Sequence, residues 1–279
     1  MTVLFVRERG CAPEIAGRFH NVTDDRMSDI GQDRILWRWG SRVEFPVGNL
    51  QVNTRESCLL AANKPEVRRL CLTNKIRVPA TYFTADEARR YFNLNTAPLL
   101  WRPSSHRSGQ GIIVVSNAAQ VTQQGGYWSQ IIPKTQEFRV YVFFGRVIGI
   151  DEKIVPDPTQ LAWNHAKGGR FEVVHWDKWP SVICWLSTVL VHAIGLHFGA
   201  VDLIKHEHRY YVLEVNTSPA MTSVYKLGLL QRSVSWLDDV TTEGHGLPEI
   251  AAPLREPVKG YRNYIHPLHN TGRGGQNVV

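Results

Sequence analysis

Tyr210-Tyr211-Val212-Leu213-Glu214-Val215-Asn216-Thr217-Ser218-Pro219, taken with Gly199-Ala200-Val201-Asp202-Leu203-Ile204 just before it, decides how the rest of the chain is read. Both runs are short and apolar, and the polar residues His206 to Arg209 between them make a hairpin turn, so they pair as neighbouring strands. Pairing brings Asp202 close to Glu214. Asn216, two residues beyond Glu214, points to the same side of an extended chain. Three hard oxygen-bearing side chains then share one face, the donor set that a magnesium ion bridging phosphates needs. An acidic edge on a surface hairpin would use the same residues, and the preceding chain decides between the two.

Upstream, Glu137 to Ile150 reads as a hairpin turning at Phe144-Gly145-Arg146, with Glu137 and Arg139 alternating with apolar residues so that both face a cleft. Asp151-Glu152-Lys153 follows directly, and Trp163-Asn164-His165-Ala166-Lys167-Gly168-Gly169 supplies an amide, a base and a paired-glycine turn. Earlier still, the strand Pro98 to Pro103 runs into Ser104-Ser105-His106-Arg107-Ser108-Gly109-Gln110-Gly111, and a strand from Ile112 to Val115 leaves it. Hydroxyls, glycine N–H groups and cations in one hairpin suit a mobile cover over a phosphate chain. GxxxxGK[ST] occurs nowhere, so this is no Walker A loop, and an ordinary hairpin turn needs fewer residues and less charge.

The flanks frame a cleft. Val3 to Val6 and Ile35 to Trp39 are strand-like; Trp37 and Trp39 share one face as core residues, and Arg38 points the other way. Thr54 caps a helix that Pro65 restarts over Glu66 to Thr73. Ile76 to Phe83 reads as a strand, Thr84 to Phe92 as a capped helix, Trp179 to about Leu196 and Val224 to Val240 as amphipathic helices. His192 and His197 lie at the end of the helix over Trp179 to about Leu196, with no partners at zinc spacing, and are expected in the helix end or core. Beyond Thr241, Pro248, Pro253, Pro257 and Pro267 punctuate a tail or surface strap.

The chain has 279 residues, enough for one large domain or several lobes around a cleft. It lacks a long apolar run and starts with a strand-like segment, so no membrane span is expected and the cytoplasm is the expected location. Cys11, Cys58, Cys71 and Cys184 form no CxxC pair, which argues against a zinc ribbon or a disulfide framework. A formal charge of +7 favours an anionic partner without choosing among nucleotide, acidic peptide and nucleic acid.

At this point the sequence resembles the ATP-grasp superfamily, and within it the carboxylate-amine ligases, including ribosomal-protein glutamate ligases, glutathione synthetases and D-alanyl-D-alanine ligases. The resemblance runs from about Asn53 to Met221 as an ordered series of short motifs. Asn63-Lys64 with Arg77 to Thr81 looks like "NK... gIPvPxT", and Trp101 through Gly111 like "vKP... GsxGxG". Gln130-Ile131-Ile132 resembles the adenine hinge, Glu137-Phe138-Arg139 the "D/E-x-R" strand, and Glu152-Lys153 with Asn164 and Gly168-Gly169 the "R/K... N-xxx-GG" pair. Asp202 with Glu214 to Pro219 matches "vDxx... EvNxsP", the most specific of the set. Arg102 stands where lysine is usual, Ala200 where some branches carry a phosphate-binding arginine, and Ala220 where glycine is common. The short N-terminal domain is similar to that of compact phage-encoded forms, which would act in the host cytoplasm.

The resemblance implies an α+β, ATP-grasp fold: two α+β lobes gripping ATP, preceded by a small α/β domain. Its expected divisions are an N-terminal domain over 1–75, a lid over 76–129, a core with the metal site over 130–240 and a tail over 241–279. It implies that Lys64, Arg102, Ser105, Ser108, Gly109 and Gly111 bind the phosphates. Gln130 and Ile132 present backbone groups to adenine, and Glu137 reaches the ribose. Asp202, Glu214 and Asn216 hold magnesium or manganese, and the catalytic work of stabilising charge falls to Arg139, Lys153 and Asn164. The implied reaction joins a carboxylate to an amine, on an amino acid, peptide or protein, through an acyl phosphate and with release of ADP. This chemistry needs electrostatic stabilisation and no side-chain nucleophile. Arg7, Arg9, Arg18, Arg38 and Arg42 lie close together in the N-terminal domain and would suit a substrate with more than one carboxylate. A kinase-like transfer to a hydroxyl is the alternative on the same fold. A basic nucleic-acid-binding module is the alternative of another class, but it leaves Asp202, Glu214 and Asn216 without a purpose.

Overall fold

The computed structural model describes residues 2–8, 15, 19, 22–24, 34–46, 48–104, 111–157, 159–161, 163, 168–241 and 246–257. Strands β1 (Thr2–Arg7), β2 (Val22–Asp24), β3 (Arg34–Trp39) and β4 (Leu50–Val52) form a parallel sheet in the order β2-β1-β3-β4. The period-two pattern of β3 has the expected result: Trp37 and Trp39 are fully buried on one face. Trp37 stacks on Phe143 at 5.4 Å and Trp39 on Phe198 at 5.2 Å, which glues this sheet to the centre of the molecule. Truncating either ring to alanine would cost about 3–5 kcal/mol.

Thr54 caps α1 (Arg55–Ala62) by accepting from the Ser57 N–H. Asn63 caps α2 (Lys64–Thr73) in the same way, with Pro65 in the first turn where it has no N–H to lose; the restart therefore falls at Lys64, two residues before the expected Glu66. Both helices bury apolar residues, among them Ala61, Val67 and Cys71, in the core of the central sheet. The strand expected over Ile76 to Phe83 is only β5 (Thr81–Tyr82), because Ile76 and Val78 bury in that same core and Pro79 cannot donate to a ladder. β5, β6 (Leu99–Pro103), β7 (Ile113–Val115) and β8 (Gly126–Gln130) make a second sheet in the order β5-β8-β6-β7. Helix α3 (Ala85–Leu94) covers it, held at its start by a reciprocal Thr84–Glu87 capping box.

The central sheet is antiparallel throughout, in the order β11-β10-β9-β12-β13. Its strands are β9 (Gln136–Phe143), β10 (Arg146–Ile154), β11 (Arg170–Val173), β12 (Phe198–His206) and β13 (Arg209–Asn216). One face, including Phe138, Val140 and Val142, packs on α4 (Ser181–Ile194) through Ile183, Leu186 and Leu190. The opposite face carries alternating charged residues, and at one end it is covered by the parallel sheet and by α5 (Val224–Thr241). Asn53, at the left-handed φ of 65°, pins this junction: its side-chain amide donates to the Phe198 carbonyl and accepts from the Phe198 N–H, both at 2.9 Å. Residues 246–257 run over the surface, where the Ala251 N–H donates to the Phe144 carbonyl at 3.2 Å and the Leu254 carbonyl accepts from Trp185 Nε1 at 2.9 Å. Gly145 permits this approach, since a Cβ there would stand 2.2 Å from the Ala251 oxygen. No described helix is long and apolar enough to cross a membrane.

Candidate active site

Strand registers put four charged residues in one row across the face of the central sheet opposite α4. Asp151 of β10 is opposite Arg139 of β9, Arg139 is opposite Asp202 of β12, and Asp202 is opposite Glu214 of β13. The hairpin expected from the sequence thus exists, and it brings Asp202 and Glu214 together. Arg139 grips Asp202 with two parallel bonds, Nε to Oδ1 at 2.7 Å and Nη2 to Oδ2 at 2.8 Å. Lys153, one row along, reaches Asp202 Oδ2 at 3.3 Å and pairs closely with Glu137, its cross-strand partner. Lys64, at the start of α2, pairs with Glu214 at 2.6 Å.

Electrostatics follow from this arrangement. Burial pushes the Asp202 carboxyl up, but the Arg139 guanidinium and the Lys153 ammonium outweigh it and hold the carboxyl well below the usual carboxylate range. Burial raises Glu214 too, and Lys64 more than reverses it, leaving that carboxyl lowered. Burial works against the charges of Arg139 and Lys153, yet Asp202 raises both above their ordinary values, aided for Lys153 by Glu137. All four are therefore ionised at neutral pH.

Arg102, on β6 of the second sheet, donates through Nε to Ser129 Oγ at 3.1 Å. Burial pushes its pKa down while Tyr127, Glu214 and Glu137 pull it up, so it stands within electrostatic reach of the central carboxylates. Gly111 closes the polar loop at a left-handed φ of 72°. Ser105, Ser108, Gly109 and Asn164 lie outside the described residues, as does most of the loop expected to cover phosphates. The Gln130 N–H donates to the Ala80 carbonyl at 2.8 Å at the end of β8, and Ile132 just beyond it is half-buried.

Several residues in the site were not singled out from the sequence. Lys134 meets Glu137 at 2.6 Å and lies over the Trp163 ring at 4.6 Å; its spacing of three residues from Glu137 was the available signal. Lys226 of α5 reaches Asp151 Oδ2 at 2.8 Å, and Arg68 of α2 donates to the Val212 and Leu213 carbonyls of β13 at 2.8 and 2.7 Å. Of the arginines expected to read a substrate carboxylate, Arg38 does not face a cleft. It is buried with its guanidinium 3.5 Å over Phe45, donating to the Val43 carbonyl at 2.5 Å and to Gln51 Oε1 at 3.2 Å, so its role is structural. Arg42 is exposed and Arg7 half-buried, while Arg9 and Arg18 lie outside the described residues.

The donor set fits a divalent oxygen-seeking ion. Asn216 Nδ2 is 3.5 Å from Asp202 Oδ2 and 3.4 Å from Glu214 Oε1, so the amide bridges both carboxylates. Turning that amide over presents its oxygen to the same point. Among the described residues no cluster of three or more His, Cys, Asp or Glu side chains forms a metal cage. Two carboxylates and an amide instead match magnesium, which keeps waters and phosphate oxygens in its shell and takes only one or two protein carboxylates.

No protein-family model matches the chain, and no curated protein matches it in sequence. Solved structures do match in fold. The D-alanine–D-alanine ligase from Bacillus anthracis complexed with ATP aligns at a TM-score of 0.61 and 14% identity, covering 88% of this chain and 99% of that one. The ATP-grasp ligase PsnB, complexed with precursor peptide PsnA2 and AMPPNP, aligns at 0.58 and 14% identity over 82% of this chain and 96% of its own. The macrocyclase MdnC bound with precursor peptide MdnA from Microcystis aeruginosa MRC aligns at 0.57 and 14% identity over 86% and 100%. The chain has a mixed α+β architecture of the ATP-grasp type. The match covers 82–88% of this chain and nearly the whole length of each of these structures.

Proposed function

We propose that this protein is an ATP-dependent carboxylate-amine ligase that forms an amide or peptide bond through an acyl phosphate. The observation that carries this reading is the convergence of Asp202, Glu214 and Asn216 with Arg139, Lys153 and Lys64 on one sheet face. A nucleic-acid surface has no use for ionised carboxylates buried among its cations, whereas a metal-bound triphosphate needs both signs together. The fold likeness to ligases complexed with ATP and with precursor peptides supports the same reading.

In this reading Arg102, Lys64, Ser105, Ser108, Gly109 and Gly111 bind phosphate oxygens. The Gln130 carbonyl and the Ile132 backbone meet adenine, and Glu137 meets the ribose. Asp202, Glu214 and Asn216 would hold magnesium or manganese, which when bound would supply positive charge to neutralise phosphate oxygens. Arg139 and Lys153 turn from their carboxylate partners toward the transferring phosphoryl group and take up charge as it develops, a role that Asn164 shares. A carboxylate oxygen of the substrate attacks the terminal phosphorus and the bond to ADP breaks. The amine nitrogen then attacks the acyl carbon, phosphate leaves, and the nitrogen loses a proton. The substrates are an amino acid or peptide carboxylate and an amine.

ADP release in the presence of ATP and magnesium, screened over amino acids and short acidic peptides, tests the proposal. Stimulation by a carboxylate together with an amine is expected. Stimulation by hydroxyl compounds alone would replace ligation with phosphotransfer.

A further inference from the structure

At the Asp151 end of the row of charges across the central sheet lies a buried polar cluster that the proposed reaction does not use. Asp151 and Tyr141 are fully buried and Lys226 is 3% exposed. One carboxylate oxygen, Asp151 Oδ2, accepts from Lys226 Nζ at 2.8 Å and from the Tyr141 hydroxyl at 2.9 Å. The other, Oδ1, is buried with no hydrogen-bond partner among the described residues. A buried carboxylate oxygen in that state is costly and calls for a donor. The cluster exists because β10 has Gly149 two residues before Asp151: a Cβ there would lie 2.7 Å from Leu229 Cδ1, so glycine lets α5 come close enough for Lys226 to arrive. The Phe171 ring is shared by three cations, with Lys226 Nζ at 4.1 Å, Arg139 Cζ at 4.9 Å and Lys153 Nζ at 5.6 Å from its centroid. Lys226 therefore belongs to the same cationic wall as Arg139 and Lys153, and the half-buried Phe171 that joins them lies on the edge strand β11.

We infer that Asp151 and Lys226, steadied by Tyr141, form a subsite for a free α-amino acid, with Asp151 Oδ1 accepting from its amine and Lys226 binding its carboxylate. This rests on the ligase reading above, in which the bound amino acid is the amine substrate. The charges favour it: a zwitterion meets an ion pair with opposite signs matched, and no net charge is added to a buried place. The position favours it as well, since Asp151 is directly opposite Arg139, which places an amine one strand away from the proposed acyl phosphate. A purely structural pair pinning α5 to β10 would account for the contact between Lys226 and Asp151 but leave Oδ1 orphaned.

The test uses the full-length protein loaded with AMPPNP and magnesium, against the standard amino acids by thermal shift and then calorimetry. At least one free amino acid is expected to bind, and N-acetylation or amidation of that amino acid should each weaken binding at least about tenfold. Asp151→Asn keeps the shape and an acceptor for Lys226 and Tyr141 but places an NH2 group where the orphan oxygen stands. It should weaken the amino acid at least about tenfold while leaving AMPPNP affinity within about twofold. If Asp151→Asn does not fold, the N-acetyl and amide comparisons on the unaltered protein carry the test. Binding of no free amino acid, equal binding of the N-acetyl form, or undiminished binding by a folded Asp151→Asn protein would overturn the subsite. The readout needs no turnover, so failure of the ligase reading would appear separately, as amino-acid binding without ligation.

Discussion

Arg139 and Asp202 face each other across β9 and β12 and are joined by two bonds of 2.7 and 2.8 Å, both side chains nearly out of contact with water. The fork keeps two charges buried without nucleotide, and each is the partner that the other must give up when a metal and a phosphoryl group arrive. Replacing Arg139 with methionine leaves Asp202 with Lys153 as its remaining cation, and a buried charge that loses its principal partner destabilises by about 3–5 kcal/mol. Arg139→Lys keeps the charge but loses the fork, so it should fold better than the methionine variant while turnover falls at least about tenfold. Urea denaturation and ADP release measure the two effects; equal stability of Arg139→Met and the unaltered protein would contradict the buried pair.

Glu214→Gln separates metal from fold. Glutamine still accepts from Lys64 at the position of the 2.6 Å contact, so the melting temperature should change little. The carboxylate charge is gone, and magnesium should no longer strengthen AMPPNP binding, which calorimetry with and without magnesium reads directly. A magnesium dependence equal to that of the unaltered protein would remove Glu214 from the metal set.

His197 gives a pH signature. Burial lowers its pKa from 6.5 to about 4, and its Nδ1 accepts from the Asn53 N–H at 3.0 Å, a bond that only the neutral ring can accept. Between pH 6.5 and about 4 the unfolded chain binds the proton and the folded chain does not, so stability falls as pH falls through that window and is unaffected above it. The total effect is up to a few kcal/mol. Asp202 and Glu214, whose pKa values are lowered, contribute stability that is lost only at lower pH, so the upper part of the window isolates the histidine. Denaturation at pH 7, 6 and 5 should show the slope, and His197→Gln should flatten it.

Asn53→Ala should loosen the junction between the parallel and central sheets. It strands both the N–H and the carbonyl of Phe198, now satisfied at 2.9 Å, and puts a Cβ-bearing residue without a local polar partner at a φ of 65°. A loss of about 2–4 kcal/mol is expected by denaturant titration. Asn53→Gly, which relieves the backbone, should recover only part of it.

What the sequence revealed and what it hid have physical causes. Strand alternation and a four-residue polar turn were enough to place Asp202, Glu214 and Asn216 together, because side chains two apart on a strand must share a face. The same alternation put Trp37 and Trp39 in the core. It also placed Arg38 on the opposite face, but could not reveal that Leu4, Val6, Leu36 and Phe45 form another apolar layer there, which turned an expected substrate ligand into a buried structural arginine. Helix starts were legible from Thr54 and Thr84, whereas Asn63 capped α2 two residues earlier than Pro65 suggested. Lys226 was hidden for a different reason: its partner Asp151 is far away in sequence, and only the packing of α5 over Gly149 brings them together.

Trapping with hydroxylamine tests the central claim most directly, because it intercepts an acyl phosphate as a hydroxamate and leaves a phosphorylated hydroxyl untouched. The protein would be incubated with ATP, magnesium, hydroxylamine and a panel of amino acids and acidic peptides, and ADP and hydroxamate measured together. The account predicts hydroxamate formed in step with ADP for at least one acid, and neither product from Glu214→Gln. ADP released in response to a substrate, with no hydroxamate from any acid in the panel, would contradict it.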